Sequence, residues 1–250
     1  MRKIVYFILA SVLLGACAED VMVHNVMNTS VTGRSTFSYD SVTNPDVWKT
    51  FMSFEEMMNA TQIPEDILKE LPTDTLVALC MNHPMANNYI YYNNQINGVL
   101  SVMKRFNGFQ ELKRREDAAE KIMDFYEKMD IDYNVTEKKK NPYSHHFTEI
   151  KPFQVGFTEL VIATNDIPEL YSDKNIDRLE RIANVKYEAK IQNKKYNKVS
   201  ALGRSLLIGA QIKMKKEGKD NTKLQQFIDK GGDISSPKDL TEISRIIYQK

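Results

Sequence analysis

A short histidine-containing stretch is the clearest candidate for acid-base or metal chemistry in this chain of 250 residues. It reads Ser-His-His-Phe-Thr-Glu and carries titratable groups at His145, His146 and Glu149. In a helix, His146 and Glu149 would share one face, and an imidazole beside a carboxylate can bind zinc or transfer protons. Two adjacent histidines do not point the same way in a helix or a strand, so a solvated loop is the simpler interpretation. A metal-dependent hydrolase using these residues stays open as an alternative.

Other catalytic motifs are missing from the sequence. Phosphate-binding loops, serine nucleophile elbows, paired cysteines and the His-Glu-x-x-His zinc helix do not occur in it. Cys80 lies in an apolar run and is expected to be a small buried side chain rather than a nucleophile. His83 precedes a proline and is expected to contact the carbonyls at a helix end. The sequence therefore predicts no cofactor and favours a protein that is not an enzyme.

A polar and aromatic cluster is the first choice for a contact site. Tyrosines and amides can stack on sugar rings, bind hydroxyls and contribute to protein interfaces. The residues predicted to bind a ligand are Tyr89, Tyr91, Tyr92, Asn93 and Asn94. A helix at the edge of the core is the simpler alternative. The expected partner is a protein or a glycan, and no nucleic acid is expected.

The first residues have the pattern of an export signal. Arg2 and Lys3 precede an uncharged apolar run of about 11 residues, from Ile4 to Leu14. This run is too short to cross a bilayer, which needs about 20 apolar residues. The sequence therefore predicts a cleaved signal peptide rather than a membrane-spanning helix.

The end of this run, Leu14-Gly15-Ala16-Cys17, resembles the lipobox of bacterial lipoproteins. The resemblance covers about 20 residues and implies location rather than activity. It implies removal of residues 1–16, a diacylglycerol on the thiol of Cys17 and acylation of the new amino terminus, which together anchor a chain stably to a membrane. The acidic Glu19 and Asp20 resemble signals that direct lipoproteins of Gram-negative gut bacteria to the cell surface. The expected location is extracytoplasmic, at the outer membrane, with surface display as the finer hypothesis.

Two three-residue matches bear on modification. Asp40-Ser41-Val42 and Asp74-Thr75-Leu76 resemble O-glycosylation sites that some Gram-negative gut bacteria use on exported proteins. The resemblance implies Ser41 and Thr75 as acceptors.

The rest of the chain has helical signals. Residues 17–46 lack a helical period and are predicted to be a lipidated, flexible tether, although Ser35 to Tyr39 could pair as a short strand. Residues 47–250 carry amphipathic periods, which predict an all-α domain. Ser53 and Glu56 are predicted to form a capping box, and Pro64 and Pro72 are each expected at the first position of a helix. The helix that contains Phe227 is predicted to stop at Gly231-Gly232. We expect an irregular bundle of eight to ten helices, with a stack of helical hairpins as an alternative and two lobes, 47–130 and 149–250, as a further hypothesis.

The carboxy-terminal third is basic and contains the most apolar segment after the signal peptide. That segment runs from Val199 to Met214 and is predicted to be a central helix, with Gly203 and Gly209 allowing close approach of its neighbours. The basic charge could attract an anionic partner, but solvated helix faces are the favoured interpretation. Lysines four residues apart are expected to form one exposed stripe: Lys186, Lys190, Lys194 and Lys198.

These observations favour a lipid-anchored, non-enzymatic binding or interaction module. The alternatives are a structural lipoprotein of an envelope complex and the hydrolase considered above.

Overall fold

The computed structural model describes residues 28–29, 35–131, 151–194, 196, 199–218 and 221–248. Within these residues the regular structure is helical, and the predicted all-α class is confirmed. The only described strands are β1 (Asn28–Thr29) and β2 (Ser35–Thr36), which form a two-residue antiparallel pair. Asn28 lies opposite Thr36, and Thr29 opposite Ser35.

The described residues contain twelve α-helices and one 3₁₀ helix, more than the eight to ten predicted. The α-helices are α1 (Pro45–Trp48), α2 (Phe54–Ala60), α3 (Glu65–Glu70), α4 (Thr73–Met81), α5 (Gln95–Arg105), α6 (Asn107–Leu112), α7 (Ala118–Lys128), α8 (Lys151–Ala163), α9 (Ile176–Gln192), α10 (Val199–Glu217), α11 (Thr222–Asp229) and α12 (Pro237–Tyr248). The 3₁₀ helix spans Ala86–Tyr91. The excess comes from elements of four to six residues, because fewer than two turns cannot show a hydrophobic period.

Helix starts follow the local signals in the sequence. The Ser53 hydroxyl accepts the N–H of Glu56 at 3.1 Å, and the Glu56 carboxylate accepts the N–H of Met52 at 2.6 Å. This is the predicted capping box, with its return bond shifted by one residue. Pro64 and Pro72 are the N-caps of α3 and α4, one position before the predicted place. Chain direction at these turns is therefore set locally.

Helix α10 is central, as predicted, and it contacts α8, α9, α11 and α12. The first half of the chain packs α4 against α6 and α7, and contacts of α5 and α4 with α8 join it to the second half. One continuous cluster of buried apolar side chains runs from Phe37 to Ile243. The segment proposed to separate two lobes lies outside the described residues, so the two-lobe arrangement stays a prediction.

The packed domain begins before residue 47, where the sequence analysis placed its boundary. Phe37 and Val42 are buried, and the Tyr39 hydroxyl donates to the Leu79 carbonyl at 3.3 Å. The aromatic ring of Tyr39 lies edge-on to that of His83, with 5.6 Å between their centroids. The last part of the predicted tether is therefore docked on the helices.

His83 has a different environment from the one predicted. It is buried, and its Nδ1 accepts the N–H of Met85 at 3.1 Å instead of contacting helix-end carbonyls. Because Nδ1 is an acceptor, the proton lies on Nε2, which donates to the Thr61 hydroxyl at 3.0 Å. Burial lowers the pKa of His83 to about 3. The imidazole is therefore neutral in the folded protein.

The predicted exposed lysine stripe is wrong at two positions. Lys186 and Lys190 are buried, Lys194 is exposed, and Lys198 lies outside the described residues. The inner part of the stripe faces α10 and the carboxy-terminal end of α7, where the Lys186 amine donates to the carbonyls of Glu127 and Met129. Long aliphatic stems allow lysine to extend across apolar surface to such acceptors.

Lys190 belongs to a closed polar network that joins α7, α8, α9 and α10. Its amine donates to Glu159 Oε2 at 2.5 Å and to Ser205 Oγ at 2.9 Å. Ser205 Oγ donates to Glu159 Oε1 at 2.6 Å, and the Tyr126 hydroxyl donates to the same oxygen at 2.8 Å. Burial lowers the pKa of Lys190, an effect that the adjacent Glu159 carboxylate opposes. All four side chains are buried, so the network holds the central helices in register.

The stability of the protein is predicted to fall in acid because of His83. Its folded pKa is below the unfolded value of about 6.5, so the unfolded state binds the proton first. The stabilisation present above pH 6.5 is therefore lost as the pH falls towards 3, by about 1.4 kcal/mol per pH unit. Urea unfolding of the wild type and His83→Asn between pH 7 and 4.5 measures this. Their stability difference should shrink steadily with falling pH, and a constant difference would contradict the neutral buried imidazole.

Lys190→Met is predicted to lower the free energy of unfolding by about 3–5 kcal/mol, because it leaves the buried Glu159 carboxylate without its cation. The matched control is Lys194→Met, an exposed lysine in the turn just after the end of α9, which should change stability by less than about 0.5 kcal/mol. Adding Glu159→Met to Lys190→Met should restore most of the loss, since the network then contains no carboxylate without its cation. Equal stabilities of the two lysine variants in urea unfolding would refute the network's role.

Candidate binding site

A small polar pocket lies where three parts of the chain meet. It is formed by the segment between the 3₁₀ helix and α5, the first turns of α10 and the turn after α11. The lining residues are Asn93, Gln95, Ser200, Arg204, Lys230, Gly231, Gly232 and Asp233. Its volume is about 50 Å³, and one water needs about 10–15 Å³ measured in the same way. The pocket therefore admits a group of a few heavy atoms rather than a whole drug-sized molecule.

The turn after α11 forms the floor of the pocket and depends on two glycines. Gly231 and Gly232 have φ values of 66° and 78°, which side chains with a Cβ rarely adopt. Their N–H groups donate to the carbonyls of Ile228 at 2.8 Å and Phe227 at 3.0 Å, which ends the helix. The predicted stop of this helix at the glycine pair is confirmed.

Helix α10 approaches this turn backbone to backbone. A Cβ added to Gly203 would lie 2.6 Å from the carbonyl oxygen of Gly232. A Cβ on Gly231 would lie 2.6 Å from the Asn94 side-chain oxygen. Close approach at Gly203 was predicted from the sequence, and the structure identifies the turn as its partner. This contact places the next residue of α10, Arg204, in the pocket wall.

Arg204 is the most unusual side chain in the pocket because it is a buried cation without a carboxylate partner among the residues that the structure describes. Only 8% of the residue is exposed. Its Nε donates to Gln95 Oε1 at 3.0 Å, and the guanidinium lies 5.3 Å from the centroid of the Tyr89 ring. Among the described residues, no Asp or Glu oxygen lies within 4 Å of it, and its terminal nitrogens donate to no acceptor.

The described neighbours of Arg204 do not neutralise its charge. The pKa of Tyr89 is raised to about 12 by burial, with a smaller opposing effect of Arg204, so this phenol is neutral. The Glu159 carboxylate is engaged by Lys190. Lys230 and Asp233 line the pocket with opposite charges but are exposed to solvent, which screens them. The buried part of the wall thus has a net positive charge.

The residues of the predicted tyrosine and asparagine cluster have different environments. Tyr89 is buried beneath Arg204, and its hydroxyl donates to the Phe153 carbonyl at 3.3 Å. Asn94 caps α5 by accepting the N–H of Ile96 at 3.0 Å. Tyr91 is 81% exposed, whereas Asn93 lines the pocket. The remaining member, Tyr92, is exposed and donates to Ser101 Oγ at 3.3 Å. The cluster therefore divides into a structural part and a part that faces solvent and the pocket.

The residues that carry the charge of this pocket are not among those predicted from the sequence, although one signal was present. Arg204 is the only charged residue in the apolar stretch from Val199 to Ile212. A lone cation in a helix that must be buried needs an explanation by a partner. Gln95 and Lys230 carried no such signal, because polar residues are ordinary at helix ends. Gln95 is the first residue of α5, and Lys230 directly follows α11.

The Glu159, Lys190 and Ser205 network is a second cluster with chemical potential. A lysine beside a serine can serve as a general base for a nucleophile. Here Lys190 is only 1% exposed, and Glu159 and Ser205 are 0% exposed. Each polar side-chain group is hydrogen-bonded within the network, so it is a closed structural cluster rather than a site open to a substrate.

Other predicted site residues have separate environments. His145, His146, Glu149 and Cys17 lie outside the described residues, so the metal, catalytic and lipidation hypotheses stay predictions. Thr75 is exposed and Ser41 is partly exposed, which is compatible with modification. Cys80 is buried, and burial raises the pKa of its thiol. Within the described ranges, no group of three or more His, Cys, Asp or Glu residues could hold a metal ion. Over the same part of the chain, no helix is long and apolar enough to cross a membrane.

Comparisons with known proteins give no match. No family model, no curated protein and no solved structure is significantly similar to this chain. The functional argument therefore depends on the residues and their geometry.

Gly203→Ala is predicted to destabilise the protein by about 2 kcal/mol, since its Cβ would collide with the backbone of the glycine turn. This loss exceeds the gain of up to about 1 kcal/mol that alanine brings to a helix interior. The matched control is Gly209→Ala in the same helix, where the new Cβ would meet the Ile247 side chain at 3.0 Å and that side chain can move. The control should change stability by less than about 1 kcal/mol. Equal effects of the two variants on urea unfolding would show that the turn is not held against α10.

Proposed function

We propose that this protein is a lipid-anchored, extracytoplasmic binding module that is not an enzyme. Anchoring is supported by the resemblance of Leu14 to Cys17 to a lipobox and by the apolar run before it. The docked segment from Phe37 to Val42 would connect the anchor to the helical domain. The proposed location is the outer membrane, with the helical domain exposed at the cell surface.

The observation that supports binding is the pocket at Arg204. Binding sites combine a concave surface with a few convergent polar groups, and this pocket brings Asn93, Gln95 and Arg204 together. Tyr91 is 81% exposed and lies two residues before Asn93. Two residues of chain span at most roughly 7 Å, so an exposed aromatic side chain lies close to the pocket. Tyrosine beside amide and guanidinium groups suits a sugar or a protein loop. The proposed partner is therefore a glycan or a protein bound at this face.

The anchor is tested by Cys17→Ser, which should leave the signal peptide uncleaved and abolish partitioning into the detergent phase. The matched control is Cys80→Ala at the other cysteine, which should mature and partition like the wild type because that thiol is buried in the fold. Gel mobility, amino-terminal mass and Triton X-114 partitioning measure these outcomes. If Cys17→Ser matures and partitions normally, the lipoprotein assignment is wrong.

The binding face is tested separately with a panel of glycans and surface proteins applied to the anchored full chain. Ser200 is exposed at the rim of the pocket, so Ser200→Trp should obstruct the mouth without removing a described hydrogen bond. Ser200→Trp should abolish capture of any panel member that the wild type binds, whereas Asn59→Trp, at an exposed position of helix α2, should leave it unchanged. Capture that survives Ser200→Trp would place the binding face elsewhere.

A further inference from the structure

We infer that the pocket at Arg204 is a recognition site for a small oxyanion: a carboxylate, sulfate or phosphate group at the end of a ligand. This inference rests on the proposed binding function and names the chemistry that the site would recognise. The juxtaposition that carries it is a cation more than nine-tenths buried in the wall of a polar pocket, with no anionic partner among the described residues.

Burying the guanidinium of Arg204 costs free energy. A guanidinium removed from water loses hydration, and proteins normally compensate this with a carboxylate and several hydrogen bonds. Here the Nε bond to Gln95 and the face of Tyr89 are the only compensation found within the described ranges. Arginine has five N–H donors, so most of its capacity for a planar anion is unused. An oxyanion in the pocket would supply both the missing charge and the missing acceptors.

Among the described residues, no buried carboxylate is free to neutralise Arg204. Glu159 is the one buried carboxylate in this part of the chain, and it acts electrostatically on Tyr89 and Lys190. Its two oxygens accept hydrogen bonds from Lys190, Ser205 and Tyr126. The buried cations among the described residues are Lys186, Lys190 and Arg204. Glu159 is paired with Lys190, so the described interior carries excess positive charge next to the pocket.

The size of the pocket and the exposed charges at its rim also bear on the ligand. A volume of about 50 Å³ suits one oxyanion group with its few heavy atoms. Lys230 adds a second cation to the rim, while Asp233 opposes it. Both are exposed and screened, so Arg204 provides the main attraction and Asp233 weakens it.

The oxyanion could belong to a free inorganic ion or to an acidic sugar, and the test separates these sources. The full chain, purified in detergent, is titrated by calorimetry with phosphate, sulfate, acetate, glucuronate and glucose at constant ionic strength set with NaCl. At least one of the four anions should bind, whereas glucose at the same concentration should not. Tighter binding of glucuronate than of acetate would identify an acid carried on a sugar. Tighter binding of phosphate or sulfate than of either carboxylate would identify an inorganic ion.

Three variants make the assignment specific. Arg204→Gln should weaken anion binding roughly ten- to hundredfold, the range expected for losing a charged hydrogen bond. Asp233→Asn should strengthen it several-fold, and this exposed substitution keeps the test valid if Arg204→Gln fails to fold. The matched control, Arg245→Gln, removes an exposed arginine on α12 and should leave the affinity unchanged.

Absence of anion binding at 10 mM, or an affinity unaffected by both Arg204→Gln and Asp233→Asn, would overturn the oxyanion assignment. If panel partners were still captured and still lost with Ser200→Trp, the proposed binding function would stand without it. If anions bound as expected but the chain were neither lipidated nor able to capture any partner, the oxyanion site would stand and the proposed function would fall.

Discussion

The ion pair between Glu159 and Lys190 is the interaction on which the central packing depends. It crosses from α8 to α9, and Ser205 and Tyr126 extend it to α10 and α7. The arrangement is stable only when all its members are present, because a buried charge without its partner costs more than the pair contributes. Apolar packing alone would allow helices to slide or rotate, whereas a closed set of hydrogen bonds has one geometry. The network therefore selects one register for the four helices around it.

That register determines where Arg204, the residue before Ser205 on α10, lies. Ser205 faces Glu159, and the preceding Arg204 is consequently held between Tyr89 and Gln95 at the edge of the core. The same helix places Gly203 against the glycine turn, which closes the pocket from the other side. Three consecutive residues thus have three tasks: backbone contact, pocket charge and core register. The positive charge of the pocket is a consequence of the way in which the interior is neutralised.

The three described cations that are buried on α9 and α10 are stabilised in three different ways. Lys186 donates to carbonyls at the end of α7, where the helix dipole favours a cation. Lys190 has a carboxylate. Arg204 has an amide oxygen and an aromatic face, both weaker than an anion. The contrast between Lys190 and Arg204 is the physical basis for connecting the architecture of this protein with recognition of an anionic group.

The sequence by itself determined the all-α class, the starts of α2, α3 and α4, the central position of α10 and the glycine stop of α11. These features follow from capping, proline geometry and hydrophobic period, which act within one or two helical turns. It also contains the lipobox resemblance, whose chemistry needs no fold. Tertiary structure decided which lysines are buried and which segments form the pocket, because Asn93, Arg204 and Lys230 are far apart in the chain and ordinary in their local context. Burial depends on neighbours that a local pattern does not specify, and so two lysines of an apparent solvent stripe, Lys186 and Lys190, are buried.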